Sequence, residues 1–454
     1  MKRYVLLATL VAAVFLGACA KESKLPVATG KGAIRALNTI PTSPRFGFYI
    51  EEQFISEVEF KSVSSSRSYD DLDYVFNFAV LLAGDTAVTR VASQALNVKA
   101  DKDYTFVISG AIAAPTVTIW EGDVREWTGT ETSFDVTFGH NAATLVDDVD
   151  VYFTDVTTTP VDGLQVATLA YGEVAPPLDL GEGSYILTIT AAGDDVTDVN
   201  NILFQSAPVR MDARSQYLVS LFDATANDPS SLAARAFDKI SGGQFAMSDV
   251  RFPRTAQFYH AAINMGPVDI YVDDPLTSPL LSGHDFRDVS TPQLLPEGTL
   301  PITYTEAGMM GVLYIDVDGT LPAGVNSNLY AIEDSSGAYQ LLSHLPDLRS
   351  IETQARISFM NTLVGKPSLD VYVVPAGELI DELSPLMPGL LAGFAPVQTA
   401  IAAGSYDIYV TEPGVKTALA GPISLDAALG DVLNFIIYEN SDPIIVDVVS
   451  FPLP

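Results

Sequence analysis

Cys19 is the single cysteine among 454 residues, so any thiol chemistry falls on that side chain and no internal disulfide can form. The remaining reactive inventory is sparse. Four histidines, His140, His260, His284 and His344, stand far apart. None has a spacing that would put two ligands on one strand face, and each is expected to be a surface or turn residue. His140 and His260 fall near the ends of equivalent strands, which favours a repeated structural role over a catalytic one. Acidic clusters occur at Asp147-Asp148-Val149-Asp150, Asp194-Asp195 with Asp198, Asp273-Asp274 and Asp316-Val317-Asp318-Gly319. Such groups can hold a divalent cation, yet none reproduces the EF-hand loop with its central glycine and terminal glutamate. No metal site is assigned. Paired carboxylates could serve glycoside hydrolysis if held about 5 to 10 Å apart in a cleft, but 56 acidic residues make pairs by chance. The zinc-protease, phosphate-loop, dinucleotide and nucleophile-elbow motifs are all missing after Cys19. The expectation is therefore no catalytic residue, no cofactor and no enzyme.

The surroundings of Cys19 give it a role. Met1-Lys2-Arg3 is followed by an uncharged run from Tyr4 to Phe15 and then by Leu16-Gly17-Ala18-Cys19. That is the three-part layout of a signal peptide, with an apolar run shorter than the about 20 residues a membrane-spanning helix needs. Leu16-Gly17-Ala18-Cys19 resembles the bacterial lipobox. The resemblance implies a diacylglyceryl group on the sulfur, cleavage before Cys19 and acylation of the new amino group. Two or more acyl chains hold a protein stably at a bilayer where one does not. Residues 1–18 are thus read as signal peptide and 19–30 as a lipidated tether, in which Pro26 and Gly30 break any pattern. Ala20 and Lys21 differ from the aspartate that retains lipoproteins at an inner membrane, so a cell-envelope location is expected, with the outer membrane favoured and the domains periplasmic or surface-facing.

Net charge is −32, which sets nucleic acid aside as a partner because a surface of that sign repels phosphate. Its simplest use is solubility for a chain that is 48% hydrophobic and only 18% charged. The partners left are the membrane, reached through the lipid, and an envelope protein or a glycan. Oligomeric state is not legible.

A repeat organises the rest. Val149-Asp150-Val151-Tyr152-Phe153, Val268-Asp269-Ile270-Tyr271-Val272 and Leu369-Asp370-Val371-Tyr372-Val373 share a pattern, with a weaker copy at Phe46-Gly47-Phe48-Tyr49-Ile50. Each is preceded by a candidate strand (33–37, 134–138, 256–260, 355–359) and followed by others (104–108, 217–222, 329–332, 433–438). Gly183-Ser184-Tyr185 and Gly404-Ser405-Tyr406 open further strands, Gly298-Thr299-Leu300 is a degenerate version, and 74–78 is the nearest candidate in the first repeat. Alternation along these segments predicts one face inward and one toward solvent. Short strands over about 100 residues point to all-β, tandem immunoglobulin-like antiparallel β-sandwich domains. Their expected limits are 31–125, 132–228, 254–346 and 354–454. The tyrosines of the motif suggest a common, partly buried site.

The order of strand, loop, Val-Asp-Ile-Tyr-Val and Gly-Ser-Tyr resembles the family known as domain of unknown function 4397, best in the second and fourth repeats and poorly in the first. That family occurs as tandem domains in bacterial lipoproteins and cell-wall proteins, and the resemblance implies fold rather than activity. Residues 383–406 carry no charge, but Pro385, Pro388 and Pro396 would interrupt a spanning helix, so loop and strand are expected there. Function reads as a non-catalytic, lipid-anchored envelope protein, structural or adhesive. The alternatives are a glycan-binding lipoprotein, for which Trp120 and Trp127 are the only tryptophans, and an unrecognised hydrolase.

Overall fold

The computed structural model describes residues 26–449 except 146, 227, 229, 253, 273–277, 297–298, 322–324, 335 and 440–444. Cys19 and the signal segment lie outside the described residues, as do Asp273 and Asp274.

The chain is all-β, apart from one turn of 3-10 helix, and builds the same two-sheet sandwich four times. In each, the first strand (Lys31–Asn38, Ser133–Asn141, Arg254–His260, Ala355–Asn361) pairs with a closing strand (Lys102–Ala111, Gln216–Asp223, Asn326–Glu333, Val432–Tyr438). The motif strand (Phe46–Ile50, Val149–Asp155, Val268–Val272, Ser368–Pro375) pairs in the second sheet with a central strand (Asp73–Val80, Gly183–Ala191, Thr299–Glu306, Gly404–Thr411). The segment between them switches sheets. In the fourth repeat, Met387–Leu391 lies against the motif strand and Val397–Ile401 against the first strand. This segment is the uncharged stretch noted above, and it is made of strands and turns. Among the described residues no helix is long and apolar enough to cross a membrane.

Local sequence explains the inner faces. Phe46, Phe48 and Ile50 point into the first core, where Phe76 and Phe106 lie 4.5 Å apart between ring centroids. Val149, Val151 and Phe153, and likewise Leu369 and Val371, do the same in the second and fourth. Each such side chain, once buried, contributes about 1.5–3 kcal/mol. The first repeat, weakest in sequence, keeps the full strand plan because its apolar alternation survives although the motif letters do not.

The tandem all-β sandwiches are those the sequence leads one to expect, and three details differ. The sandwiches are not purely antiparallel, since the first and closing strands of every repeat run parallel. This follows from the sheet switch, which brings the first strand beside a strand reached only after the second sheet is built. The second sandwich also runs past residue 228, because Leu232–Asp238 and Gln244–Met247 extend its first sheet. Finally, the first and closing strands do not turn one face to water. All seven residues of Ala355–Asn361 are buried, as are the seven after Gln216 in Gln216–Asp223.

The reason is that these sheets pack against each other between repeats. Leu37, Phe60, Val107 and Trp120 of the first repeat meet Leu218, Phe222, Ala233 and Phe237 of the second. Trp120 lies over Gly139, where an added Cβ would fall 2.4 Å from the indole, and its Nε1 donates to Gly172 O at 3.1 Å. Tyr259, Ala261, Tyr330 and Ile332 of the third repeat meet Met360, Ile436 and Tyr438 of the fourth. Within that cluster Tyr259 and Tyr330 stack at 4.5 Å.

Polar contacts fix the register of these unions. Asp103 receives Arg35 from its own repeat at 2.7 Å and Lys239 from the second at 2.9 Å. A buried triad of this kind adds little net stability, and specifying one arrangement is its better-attested use. The strap between the third and fourth repeats reaches the first, with Glu352 N donating to Thr42 O at 3.0 Å and Thr42 Oγ1 to the Glu352 carboxylate at 2.7 Å. On that strap burial acts to raise the Asp347 pKa, but Arg349 and Arg356 outweigh it and hold the carboxyl at about 2.

Candidate functional site

The repeated Asp of the motif faces away from the core yet is buried, because it clamps two turns of its own sandwich. Asp370 accepts from Gly389 N at 2.8 Å and from Gly414 N at 2.9 Å, one with each carboxylate oxygen. Asp269 does the same with Gly283 N at 2.9 Å and Gly308 N at 2.8 Å. These four glycines have φ between 62° and 72°, the left-handed region in which glycine is at ease, and this aims their N–H groups at the carboxylate. In the second repeat Asp150 takes Gly193 N at 2.8 Å, and the Thr168 hydroxyl replaces the other glycine. Gly47 occupies the position in the first repeat, where an added Cβ would lie 2.7 Å from the Tyr49 ring. Nothing in the sequence pattern marked this Asp as a clamp. The available signal was a pair of glycines 25 residues apart after the Asp, Gly283 and Gly308 in the third repeat and Gly389 and Gly414 in the fourth, although their distance from the Asp itself differs.

The motif tyrosines lie on the same outer face and are more deeply buried than expected, at 2%, 5% and 1% exposure for Tyr152, Tyr271 and Tyr372. Around Tyr372 the following segment folds back, so that Val374, Ile380 and Leu383 cover the ring and Lys416 Nζ sits 4.6 Å above its centroid. Lys416 donates to the Ile380 and Leu383 carbonyls, which secures the cover. In the Gly-Ser-Tyr segments, Tyr185 donates to Gly181 O at 2.7 Å and Tyr406 to Ala402 O at 2.9 Å. These are turn contacts, not binding surfaces.

The histidines also belong to the fold. Of the surface or turn placement expected, the surface part fails, because His140, His260 and His284 are buried. Parallel pairing aligns His140 and His260 with Asn38 and Asn361 at the end of the first strand. All four hold the loop that follows. Asn38 Oδ1 accepts from Ile40 N at 3.0 Å, Asn361 Oδ1 from Leu363 N at 3.0 Å and His140 Nδ1 from Ala142 N at 3.3 Å. His260 donates from Nε2 to Gly266 O at 2.7 Å, much as Asn361 Nδ2 reaches Lys366 O at 3.2 Å. Burial pushes all four histidines below the usual value of about 6.5. The unfolded chain then binds more protons than the folded one just below that pH. Stability is full above about 6.5 and falls as pH drops toward the folded-state values. We expect the unfolding midpoint to fall between pH 7 and pH 5, and His140→Asn, which copies the first and fourth repeats, to flatten that acid limb while the fold persists. An unchanged limb in a pH series of thermal melts would refute this assignment for His140.

The remaining candidates disperse. Asp195 caps Thr197 through N at 2.8 Å and Oγ1 at 2.7 Å, Asp198 caps Asn200 N at 3.0 Å, and Asp316 accepts from Thr303 at 3.0 Å. Among the described residues no group of three or more His, Cys, Asp and Glu is placed to hold a metal ion. The tryptophans form no shared sugar platform, because Trp120 is buried between repeats and Arg125 covers Trp127 at 3.9 Å. Beside Trp120 runs a groove of about 550 Å³, whose Lys239 is paired with Asp103 and whose Arg125 is paired with Asp135 and Asp179.

Among the described residues the recurring motif groups serve as clamps and caps. Residues 255–372 match the family model described as Domain of unknown function (DUF4397). The DUF4397 match starts on the first strand of the third sandwich and ends at the tyrosine of the fourth motif. It falls on the third repeat and the start of the fourth, whereas the motif letters alone favoured the second and fourth. No curated protein matches the chain. Among solved structures, the TIE protein of Bacillus anthracis is similar over 91% of this chain and 76% of its own, at 8% identity and TM-score 0.15. The major pilin subunit of Bacillus cereus is similar over 68% of this chain and 100% of its own, at 10% identity and TM-score 0.15. Likenesses at that score carry no argument beyond their existence.

Proposed function

We propose that this chain is a non-catalytic, lipid-anchored protein of the bacterial cell envelope, with a structural or adhesive role. The observation that carries the reading is the doubly buried first sheet of every repeat, which joins the sandwiches pairwise through apolar faces in place of flexible linkers. A stiff array of this kind suits spacing or presentation at a surface. The lipobox-like Leu16-Gly17-Ala18-Cys19 supplies the anchor, and Ala20-Lys21 favours the outer membrane. In support, the recurring polar residues of the motifs are engaged in holding turns.

Mass spectrometry of the mature N-terminus tests the anchor. The expected species begins at Cys19 and carries diacylglyceryl and acyl groups, and Cys19→Ser remains an uncleaved, unlipidated precursor because a hydroxyl does not replace the thiolate in the transfer. An unmodified wild-type N-terminus beyond Cys19 would remove the lipoprotein reading.

A further inference from the structure

A cavity of about 240 Å³ opens where the first three sandwiches converge, lined by Lys61 of the first, Asp228, Ser230, Arg235 and Ser248 of the second, and Val325 just before Asn326–Glu333 of the third. Its carboxylates are already engaged. Asp228 Oδ2 holds Lys61 Nζ at 2.5 Å and also accepts from Thr225 N and Oγ1, each at 2.8 Å. Asp249, also on the wall, is bound by Arg251 at 2.6 Å. Arg235 is left over. Among the described residues its one hydrogen bond runs from a terminal nitrogen to Lys61 O at 2.9 Å, its Nε is buried without a partner, and no carboxylate lies within ion-pair distance, Asp228 and Glu59 acting on it only from further off.

A guanidinium carries five donors and is costly to hold from water without a counter-charge. Here it stands in a chain of net charge −32, where free carboxylates are plentiful elsewhere. A third cation, Arg349, lies over the ring of Phe60, the neighbour of Lys61 in sequence, at 5.3 Å, with its own charge met by Asp347 at 2.9 Å. Burial lowers the pKa values of both Lys61 and Arg235, so the surroundings screen a charge poorly and an anion entering them is held more strongly than at an open surface.

We propose that this cavity binds a small oxyanion, a phosphate or a carboxylate group, through the free edge of the Arg235 guanidinium with help from Lys61 and the hydroxyls of Ser230 and Ser248. Ser230 Oγ accepts from Leu232 N at 3.3 Å, which leaves its proton to donate. At about 30 Å³ per water, the space admits one such ion with a few waters and excludes a nucleotide or a polysaccharide. Because three sandwiches contribute to the wall, the ion would bind the assembled array and not a single repeat.

Titration calorimetry and thermal melts of the purified chain test this with inorganic phosphate and with acetate, using sodium chloride of equal ionic strength as control. Saturable binding is expected for at least one of the two, and which one answers separates a tetrahedral from a planar ligand. The unfolding midpoint should rise by about 2–4 °C at roughly ten times Kd. Arg235→Gln should lose at least about tenfold in affinity, one charge-assisted contact's worth, and in chloride alone it should melt no lower than wild type, because the unpaired charge is gone. Arg90→Gln, at an exposed ion pair with Glu52, should respond as wild type does. Failure of both anions to exceed the chloride control, or an Arg235→Gln response equal to wild type, would overturn the site.

Discussion

Asp370→Ala should destabilise the fourth sandwich by about 3–5 kcal/mol. The substitution deprives two turn N–H groups of a buried carboxylate, and hydrogen bonds to charged groups contribute about 1.5–3 kcal/mol each. Gly389 and Gly414 donate to separate oxygens, so neither can be satisfied by what remains of the side chain. Asp370→Asn, which keeps one acceptor oxygen, should lose less than the alanine variant. Hydrogen exchange resolves the effect by place. Protection should fall at Gly389, at Gly414 and across the fourth core, while the second sandwich, held by its own Asp150, keeps its rate. Asp269→Ala should reproduce the pattern in the third. If Asp370→Ala melted like wild type, the clamp would be an ornament of the turns and not a reason the motif recurs.

The second large effect concerns the union of repeats. Ile436 is 2% exposed and lies in the cluster formed by Tyr259, Tyr330, Met360 and Tyr438. Ile436→Asp places a carboxylate among these apolar and aromatic groups, where the neighbouring cation, Arg287, is set over the Tyr438 ring at 5.9 Å. Loss of the apolar contact together with burial of an unpaired charge should cost about 3–5 kcal/mol of coupling. The expected outcome in calorimetry is that the third and fourth sandwiches, which unfold together in the wild type, separate into two transitions. Small-angle scattering should show a larger radius of gyration as the pair opens. Val397→Asp, at a residue 48% exposed, is the control and should change neither observable. A single transition in Ile436→Asp would mean that the sheets do not depend on each other and that the stiff-array reading lacks its basis.

Much of the strand plan was legible because side-chain alternation is a local property. Phe46, Phe48 and Ile50, or Val149, Val151 and Phe153, declare an inward face within five residues, whatever the rest of the chain does. The recurrence of Val-Asp-Ile-Tyr-Val and its variants likewise disclosed repeated units, since each copy carries its own core. The sequence also offered Cys19 in a lipobox-like setting, a reading that stands apart from the described structure.

What only the tertiary structure decided was everything that depends on a partner distant in sequence. Tyr259, Tyr330 and Tyr438 look like side chains for the solvent face of a strand, and the second repeat's Leu218 and Phe222 look the same. They are buried because another sandwich lies on them, and no property of a single strand announces that contact. The parallel pairing of first and closing strands depends on the order in which two sheets are assembled. Asp370 could be seen as an acid in a strand, but its meaning rests on two glycine N–H groups 19 and 44 residues further on, brought to it by the sheet switch and by a hairpin turn. His140 and Asn38 differ as letters and do the same work, because a ring nitrogen and an amide oxygen can accept the same loop N–H. The sequence alone determines the inward face of each strand, since alternation is written residue by residue. The outward face, and with it the union of the repeats, is settled only when the sandwiches meet, because burial there is a property of two surfaces and not of one.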